Sequence, residues 1–277
     1  PADYREAALA GKSVNYTASR NLVPASSTQV SNWADWRNVI CFVADDGDQN
    51  EHLNTAERCA AIVQEANKNI NLDKIYCDAF PQKSNSGGQR YPAVTTAIND
   101  RMDRGSLFLT YVGHSGKDGW AHERILEFSD INNWHNTYNQ PVIMTLSCDF
   151  AWYDRAMVSP AEACFFNTNG GSMALITTSR VAYGGSNSTY ARKLFGRLFT
   201  TAGNNPRTMG EMNMLAKNDY GGNSDAISMF VLIGDPSMPL AVPKYKVVID
   251  SVNGMPANAL TDTLKALSQV MVKGHVT

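Results

Sequence analysis

Short, continuous apolar runs alternate with helical patterns along most of this chain, and that alternation limits the folds available to it. A buried strand of a parallel sheet reads as a continuous apolar run, whereas an amphipathic helix repeats its apolar residues every three to four positions. The strand-like runs are at 38–44, 74–78, 107–112, 141–147, 171–178 and 230–233. The helical patterns are at 54–68, 92–105, 129–138, from 159 onward, and at 188–200 and 208–218. Together they predict an α/β fold with a mostly parallel sheet and helices on both faces.

The pattern changes near both ends of the chain, and three segments are predicted. Residues 1–35 are polar and read as a lead-in from a preceding domain, and residues 36–243 hold the α/β pattern. Residues 244–277 alternate polar and apolar positions around Asn253-Gly254, which predicts the start of an antiparallel, immunoglobulin-like β domain, truncated here. Because the chain begins at Pro1 and ends in strand-like sequence, we expect it to be a piece of a longer protein.

Composition excludes several classes of protein. The charges nearly balance, with 24 Lys and Arg against 26 Asp and Glu, so the chain lacks the basic field expected of a nucleic-acid-binding protein. With 43% apolar and 18% charged residues it is not expected to be disordered. No apolar run approaches the ~20 residues of a membrane-spanning helix.

The chain has five cysteines, so at least one thiol has no partner within it. No two of them form a CxxC motif, which argues against a zinc ribbon or a thioredoxin-type site. Four lie in apolar patterns, where a free cysteine behaves as a small hydrophobe: Cys41, Cys59, Cys77 and Cys164.

Two reactive side chains follow apolar runs directly. His114 comes after 107–112 and Cys148 comes after 141–147. Since the carboxyl ends of parallel strands form the ligand crevice of an open sheet, both are expected at its mouth. There an imidazole can take the proton of a thiol and activate it as a nucleophile. The alternative is a partly buried histidine and a core cysteine with no chemical role.

The residues around these two positions resemble the gingipain-type cysteine peptidases of the caspase-like clan. The histidine segment is 111–116 with 119–121 and 123–124, and the cysteine segment is 146–150. Further matches follow in order at 170–175, 210–211 and 232–236, so the resemblance covers about 38–243. Within the family, the stretches 120–124, 147–150 and 177–180 look most like the PorU-type sortases of the type IX secretion system.

The resemblance implies a caspase-like catalytic domain at 36–243 and a covalent mechanism. Cys148 would attack the scissile carbonyl to form a thioester, and His114 would pass a proton to the leaving amine. Backbone N–H groups of Ser115 and Cys148 would hold the oxyanion. The family commonly has glycine after the histidine, and Ser115 departs from that pattern.

For a sortase, the resemblance implies that cargo proteins lose a C-terminal secretion signal and are joined to anionic lipopolysaccharide. It also implies other type IX secretion components as partners and a location on the extracellular face of the outer membrane. Two alternatives remain: a gingipain-like secreted protease of other specificity, and a catalytically silent module that binds signal domains.

The acidic loop after the first run supplies the candidates for a third catalytic residue. The family places its acid in this region, so Asp46 is our choice and Asp45 the second. A solvated turn is the alternative. No cofactor is predicted, although a calcium ion at the Asp45–Asp48 loop is an option. The oxygens available to it belong to Asp45, Asp46, Asp48, Asn50 and Glu51.

Other residues near the motifs are weaker candidates. Asp149 and Arg180 are expected near the substrate, and Trp120 either lines the cleft or belongs to the core. No metal site is predicted, because the remaining histidines lack ligand spacing with two carboxylates. Surface or capping roles are expected for His52, His122 and His135.

Overall fold

A six-stranded sheet organises the larger part of the chain. The computed structural model describes residues 35–203, 205–221, 225–243, 245–259 and 263–277, so the lead-in predicted at 1–35 lies almost wholly outside the described residues. Its strands are β1 (Val39–Ala44), β2 (Asn71–Tyr76), β5 (Phe108–Val112), β9 (Val142–Leu146), β10 (Ala174–Thr178) and β13 (Phe230–Ile233). They have the order β13-β10-β9-β5-β1-β2, with all neighbours parallel except β10 and β13.

Smaller strands and the helices fill the connections between these strands. The small sheets are formed by β3 (Lys83–Asn85) with β4 (Gly88–Arg90), by β6 (Ser115–Gly116), β7 (Gly119–Trp120) and β8 (Leu126–Glu127), and by β11 (Thr201–Ala202) with β12 (Asn205–Pro206). The helices are α1 (Glu51–Ala66), α2 (Pro92–Arg104), α3 (Phe128–Asn132), α4 (Pro160–Phe166), α5 (Gly184–Phe195), α6 (Met209–Tyr220) and α7 (Asp225–Ser228). The α/β class predicted from the alternation is confirmed.

Strand β1 is buried on both faces of the sheet, and its side chains are apolar on both. Cys41 and Val43 belong to a buried cluster that includes α2 residues such as Val94. On the opposite face, Phe42 and Phe108 pack their rings against Phe195 of α5, with centroids 5.4 and 5.6 Å apart. Successive strand residues point to opposite faces, so this continuous apolar run is what a doubly covered strand requires.

Local sequence signals fix several helix ends. Pro92 is the first residue of α2, and Gly105 ends that helix with φ of 76°. A Cβ at Gly105 would lie 2.7 Å from Cβ of Asn139, so glycine is needed there for space as well as for conformation. At α4, the hydroxyl of Ser159 accepts a bond from the N–H of Glu162, whose carboxylate bonds back to Ser159.

One predicted helix is wrong over most of its length. The pattern at 129–138 predicts a helix to about Tyr138, but α3 ends at Asn132. Beyond it, the Asn136 amide donates to the carbonyl of Gly171 and accepts from the Gly171 N–H. This tertiary contact fixes the segment that follows α3, and no local pattern reveals it. The loop predicted at 81–91 also contains the β3–β4 hairpin.

The chain divides into two units after Ala241, and the second is Val242–Thr277. In the second unit, β14 (Val247–Val252) lies between β15 (Met255–Pro256) and β16 (Val272–Val276) and is antiparallel to both. Asn253 and Gly254 both have positive φ at the β14–β15 turn, as tight hairpins favour. An immunoglobulin-like domain stays a prediction.

Among the described residues, every helix is too short or too polar to cross a lipid bilayer.

Candidate active site

Three neighbouring strands end together at one edge of the main sheet. Ala44 of β1 is in register with Val112 of β5, which is in register with Leu146 of β9. The pairing continues one residue further, since the N–H of Asp45 donates to Val112 and that of Gly113 donates to Leu146, at 3.3 and 3.4 Å. The residues that follow these strands therefore meet at one mouth. His114 and Cys148 both line a cavity of about 120 Å³ there.

Cys148 is the partly exposed thiol of the chain. Its Sγ lies 3.4 Å from both the backbone nitrogen and the carbonyl oxygen of Ala182, in the loop after β10. The other four cysteines are free and buried, as their apolar patterns predict. Burial raises the pKa of the Cys59 thiol to about 12, and it raises the pKa values of Cys41, Cys77 and Cys164 well above the ordinary range.

This difference in exposure gives a first prediction. Iodoacetamide added to the folded chain should label Cys148 at least about tenfold faster than any other cysteine, because thiolate character and access control the rate. Peptide mapping after a short pulse measures the site, and the same pulse in denaturant should label all five cysteines. Native labelling spread evenly over several cysteines would contradict the burial described here.

Hydrogen bonds fix the backbone of His114, while its ring remains half-exposed. Its N–H donates to Oδ2 of Asp45 at 2.7 Å. Its carbonyl accepts bonds from the Tyr111 hydroxyl, at 2.6 Å, and from the Ala121 N–H, at 2.7 Å. Gly47 lies beside the ring, because a Cβ there would be 3.1 Å from Cδ2 of His114. These contacts fix where the imidazole stands without covering it.

Asp45 is the buried carboxylate that organises this edge. It accepts bonds from His52 Nδ1 and from the N–H groups of His114 and Gly47. The Tyr111 hydroxyl, which donates to the His114 carbonyl, lies 3.1 Å from its Oδ2. Burial by itself would raise the pKa of Asp45, but the hydrogen bonds and the charge of His52 outweigh it and lower that pKa. Burial would likewise lower the pKa of His52, and Asp45 instead raises it. The structure thus favours a charged pair.

Gly113 makes this arrangement possible. A Cβ at that position would lie 2.3 Å from the Tyr111 hydroxyl and 2.5 Å from Oδ2 of Asp45. Only glycine leaves room for the carboxylate and the hydroxyl to reach the backbone of His114.

The carboxylate of the acidic loop that lies beside the His114 ring is not that of Asp46, the residue chosen from the sequence. Asp46 accepts a bond from the Tyr91 hydroxyl at 2.7 Å, whereas Asp45 accepts bonds from backbone N–H groups and from His52. It is Asp48 whose Oδ1 lies 3.4 Å from Nε2 of His114. Residues 48–50 all have positive φ, and this left-handed run turns Asp48 back toward the ring. These three carboxylates have separate partners, and calcium at this loop stays a prediction.

Ser115 joins the histidine and cysteine segments. Its hydroxyl donates to the carbonyl of Cys148, a contact that the sequence did not reveal. Ser115 pairs with Trp120, and the Ala121 N–H bonds to the His114 carbonyl beside that pair. In an antiparallel ladder this pattern makes Ser115 and Trp120 a non-hydrogen-bonded pair, so the Ser115 N–H points away from β7.

The remaining candidates from the sequence occupy distinct positions. Trp120 is fully buried and stacks on Tyr111 with centroids 4.4 Å apart, and it also lines the larger cavity described below, so a contact with substrate stays a prediction. Asp149 donates its N–H to the Arg180 carbonyl at 3.3 Å, so both lie beside Cys148 along the backbone. The Arg180 guanidinium pairs with Asp154.

The expectation of surface or capping roles is wrong for one histidine. His52 is buried, and its ring meets the ring of His114 edge to face with centroids 5.0 Å apart. His122 and His135 are exposed, as expected, although the His122 ring is 5.3 Å from that of His114. His52 lies on the buried stripe of α1, and that periodicity was the available signal.

A second, larger cavity of about 660 Å³ opens on the other side of His114. Segments β6, β7 and β8 form its wall, and it contains both signs of charge. The charged residues that line it are Lys117, Asp118, Arg124 and Glu127.

Comparison with known proteins places this arrangement in a family. The model described as peptidase family C25 matches residues 8–241. No curated protein matches the chain. Among solved structures, the Arg-specific cysteine proteinase gingipain R (RGPB) has a TM-score of 0.62 at 17% identity, over 77% of this chain and 50% of that one. The complex of Porphyromonas gingivalis RgpB pro- and mature domains gives a TM-score of 0.58 at 15% identity, over 77% and 51%.

These likenesses show the fold, which is the caspase-like arrangement of the gingipains with a mostly parallel central sheet. This chain spans about half the length of the gingipain structures that it matches.

Proposed function

The chain belongs to peptidase family C25, and from that membership we propose that it is a cysteine peptidase with Cys148 as nucleophile and His114 as base. One observation carries the proposal: both residues follow adjacent strands and line the same cavity. Cys148 is also the cysteine that is not buried. A silent binding module would not need an accessible thiol beside an accessible imidazole.

The residues around the pair fit the steps of acyl transfer. Sγ of Cys148 forms a bond to the scissile carbonyl carbon while His114 takes the thiol proton. When the C–N bond breaks, that proton goes to the leaving amine, and a thioester remains on Cys148. Asp48 faces Nε2 of His114, so we assign to it the orienting part that the sequence assigned to Asp46. Nδ1 is then the nitrogen left for the thiol.

The oxyanion is assigned to backbone donors. The N–H of Ser115 points away from β7, and the Ser115 hydroxyl ties this residue to the backbone of Cys148. We propose that the N–H groups of Ser115 and Cys148 hold the negative oxygen of the tetrahedral intermediate.

For the finer function, we propose a sortase of the type IX secretion system. It would remove the C-terminal signal domain of a secreted cargo protein and pass the acyl group to an amine of anionic lipopolysaccharide. The support is the likeness of the 120–124 and 147–150 segments to such sortases. A site at the outer cell surface and contacts with other secretion components belong to the same proposal. Asp149 and Arg180, beside Cys148, are the proposed substrate contacts.

Two kinds of substrate distinguish a sortase from a broad protease, and gingipain R is itself Arg-specific. We expect the chain to cleave a cargo protein that carries its C-terminal signal domain at least about tenfold faster than peptides with Arg or Lys before the scissile bond. Mass spectrometry of the products measures the site, and an added amine should appear joined to the new C terminus. A matched cargo without its signal domain is the control.

Faster cleavage of the basic peptides than of the cargo would overturn the sortase assignment and leave a peptidase of gingipain-like specificity. Cleavage of neither substrate, with the cargo bound intact, would favour the silent binding module.

A further inference from the structure

The peptidase chemistry makes no use of His52, yet His52 takes part in a close cluster with His114. Asp48 lies between the two rings: Oδ1 is 3.4 Å from Nε2 of His114, and Oδ2 is 3.4 Å from Nε2 of His52. One ligand atom from each of the three residues lies within 4.8 Å of the other two. Two imidazole nitrogens and a carboxylate therefore converge on one small volume.

The hydrogen bond to Asp45 decides which nitrogen of His52 faces this volume. Nδ1 of His52 is bonded to the buried Asp45 carboxylate, so Nε2 is the nitrogen that faces Asp48. In the charged pair Nε2 carries the second ring proton, and a metal ion that binds there takes the place of that proton. The ring is then neutral and keeps its remaining proton on Nδ1, toward Asp45. A carboxylate that orients a histidine through its other nitrogen is also the arrangement that supports metal-bound histidines in proteins.

The spacing and the donor types favour zinc. Tetrahedral Zn²⁺ with ligands at about 2.0–2.2 Å holds neighbouring ligand atoms roughly 3.3–3.5 Å apart. In the cluster each Nε2 lies 3.4 Å from one oxygen of Asp48, which is Oδ1 for His114 and Oδ2 for His52. One ligand atom from each residue already lies within 4.8 Å of the other two, so small side-chain movements bring the three onto one ion. Two imidazoles and one carboxylate are borderline donors that suit zinc, whereas calcium takes oxygen ligands. The cavity that Cys148 also lines provides an open fourth position.

We propose that Asp48, His52 and His114 form a reversible zinc site that switches the peptidase off. Zinc on Nε2 of His114 would leave the ring proton on Nδ1, so the ring would have no free lone pair to take the thiol proton of Cys148. The same ion would withdraw the Asp48 carboxylate from its orienting part. The binding site stands on geometry alone, and only the inhibition rests on the proposed function.

Binding is tested first, in a background where the thiol cannot hold the metal. Zn²⁺ titrated into the Cys148→Ala chain, followed by calorimetry, should bind with one equivalent per chain. Asp48→Asn should weaken that binding at least about tenfold through the loss of a charged ligand. Asparagine tolerates the positive φ of residue 48, so this variant should fold. His52→Gln is the second ligand variant, and His135→Gln, a change at an exposed histidine, is the matched control.

No binding to the Cys148→Ala chain, or equal affinity after Asp48→Asn and His52→Gln, would overturn the site.

In the chain with Cys148, zinc should slow peptide cleavage over the concentration range in which it binds, and a chelator should restore the rate. Relative to its own metal-free rate, Asp48→Asn should need at least about tenfold more zinc for half inhibition. Zinc that binds at the cluster without slowing cleavage would refute the switch and leave the peptidase assignment intact. A chain that cleaves nothing would contradict the proposed function, while calorimetry still decides the site.

Discussion

Replacing Cys148 with alanine should abolish peptide-bond cleavage, with a loss of at least about 10⁴-fold in kcat, because no other group can form the thioester. The fold should be almost unaffected, since the Sγ contacts given by the structure are with the backbone of Ala182, at 3.4 Å. Product formation followed by chromatography measures the rate, and denaturant unfolding measures the stability.

Cys59→Ala is the matched control for this change. Cys59 is fully buried in α1, so the same substitution should destabilise the fold by about 1 kcal/mol while the folded fraction keeps its activity. The two variants thus have opposite effects on activity and stability. Cleavage by Cys148→Ala at an appreciable fraction of the wild-type rate would remove the nucleophile from the proposed mechanism.

Asp45→Ala should have the largest effect on stability among the residues of the site, about 3–5 kcal/mol of the free energy of unfolding. The substitution leaves buried His52 without its buried ion-pair partner, and it removes the acceptor for the N–H groups of Gly47 and His114. The segment that positions His114 would lose its anchor, so cleavage should also fall. Urea unfolding followed by far-UV circular dichroism measures the change.

Asp46→Ala is the neighbouring control, because the hydrogen-bond partner that the structure gives that carboxylate is the Tyr91 hydroxyl. Its cost should be no more than about 1 kcal/mol. Acid provides a second check. Folding lowers the pKa of Asp45, so its contribution is present at neutral pH and is lost as the pH falls through its folded-state pKa. The difference between wild type and Asp45→Ala should therefore shrink on acidification. Equal stability of Asp45→Ala and Asp46→Ala near neutral pH would contradict the organising part assigned to Asp45.

The sheet could be read from the sequence because its strands are buried on both faces and therefore appear as continuous apolar runs. The runs at 38–44, 107–112 and 141–147 correspond to β1, β5 and β9, with ends shifted by about a residue. Since the carboxyl ends of adjacent parallel strands meet, the sequence also led to His114 and Cys148 as residues at one mouth.

The contacts of the acidic loop could not be read in the same way. The sequence alone does not distinguish the carboxylates of Asp45, Asp46 and Asp48. Their neighbours come from distant parts of the chain, such as Tyr91 and Tyr111. The left-handed run at 48–50 decides which carboxylate reaches His114, and backbone conformation of this kind is not encoded in hydrophobic periodicity. The three short strands β6, β7 and β8 were missed because two residues are too few to show a period.

The most direct test of the proposed acyl transfer is covalent trapping of the active chain. A panel of peptidyl acyloxymethyl ketones, differing in the residue before the reactive group, is incubated with the folded chain and the mass of the intact protein is measured. We predict one adduct per chain, mapped to Cys148, that forms at least about 100-fold more slowly in His114→Ala. An adduct on another residue, or one that forms on Cys148 at the same rate without His114, would contradict the account.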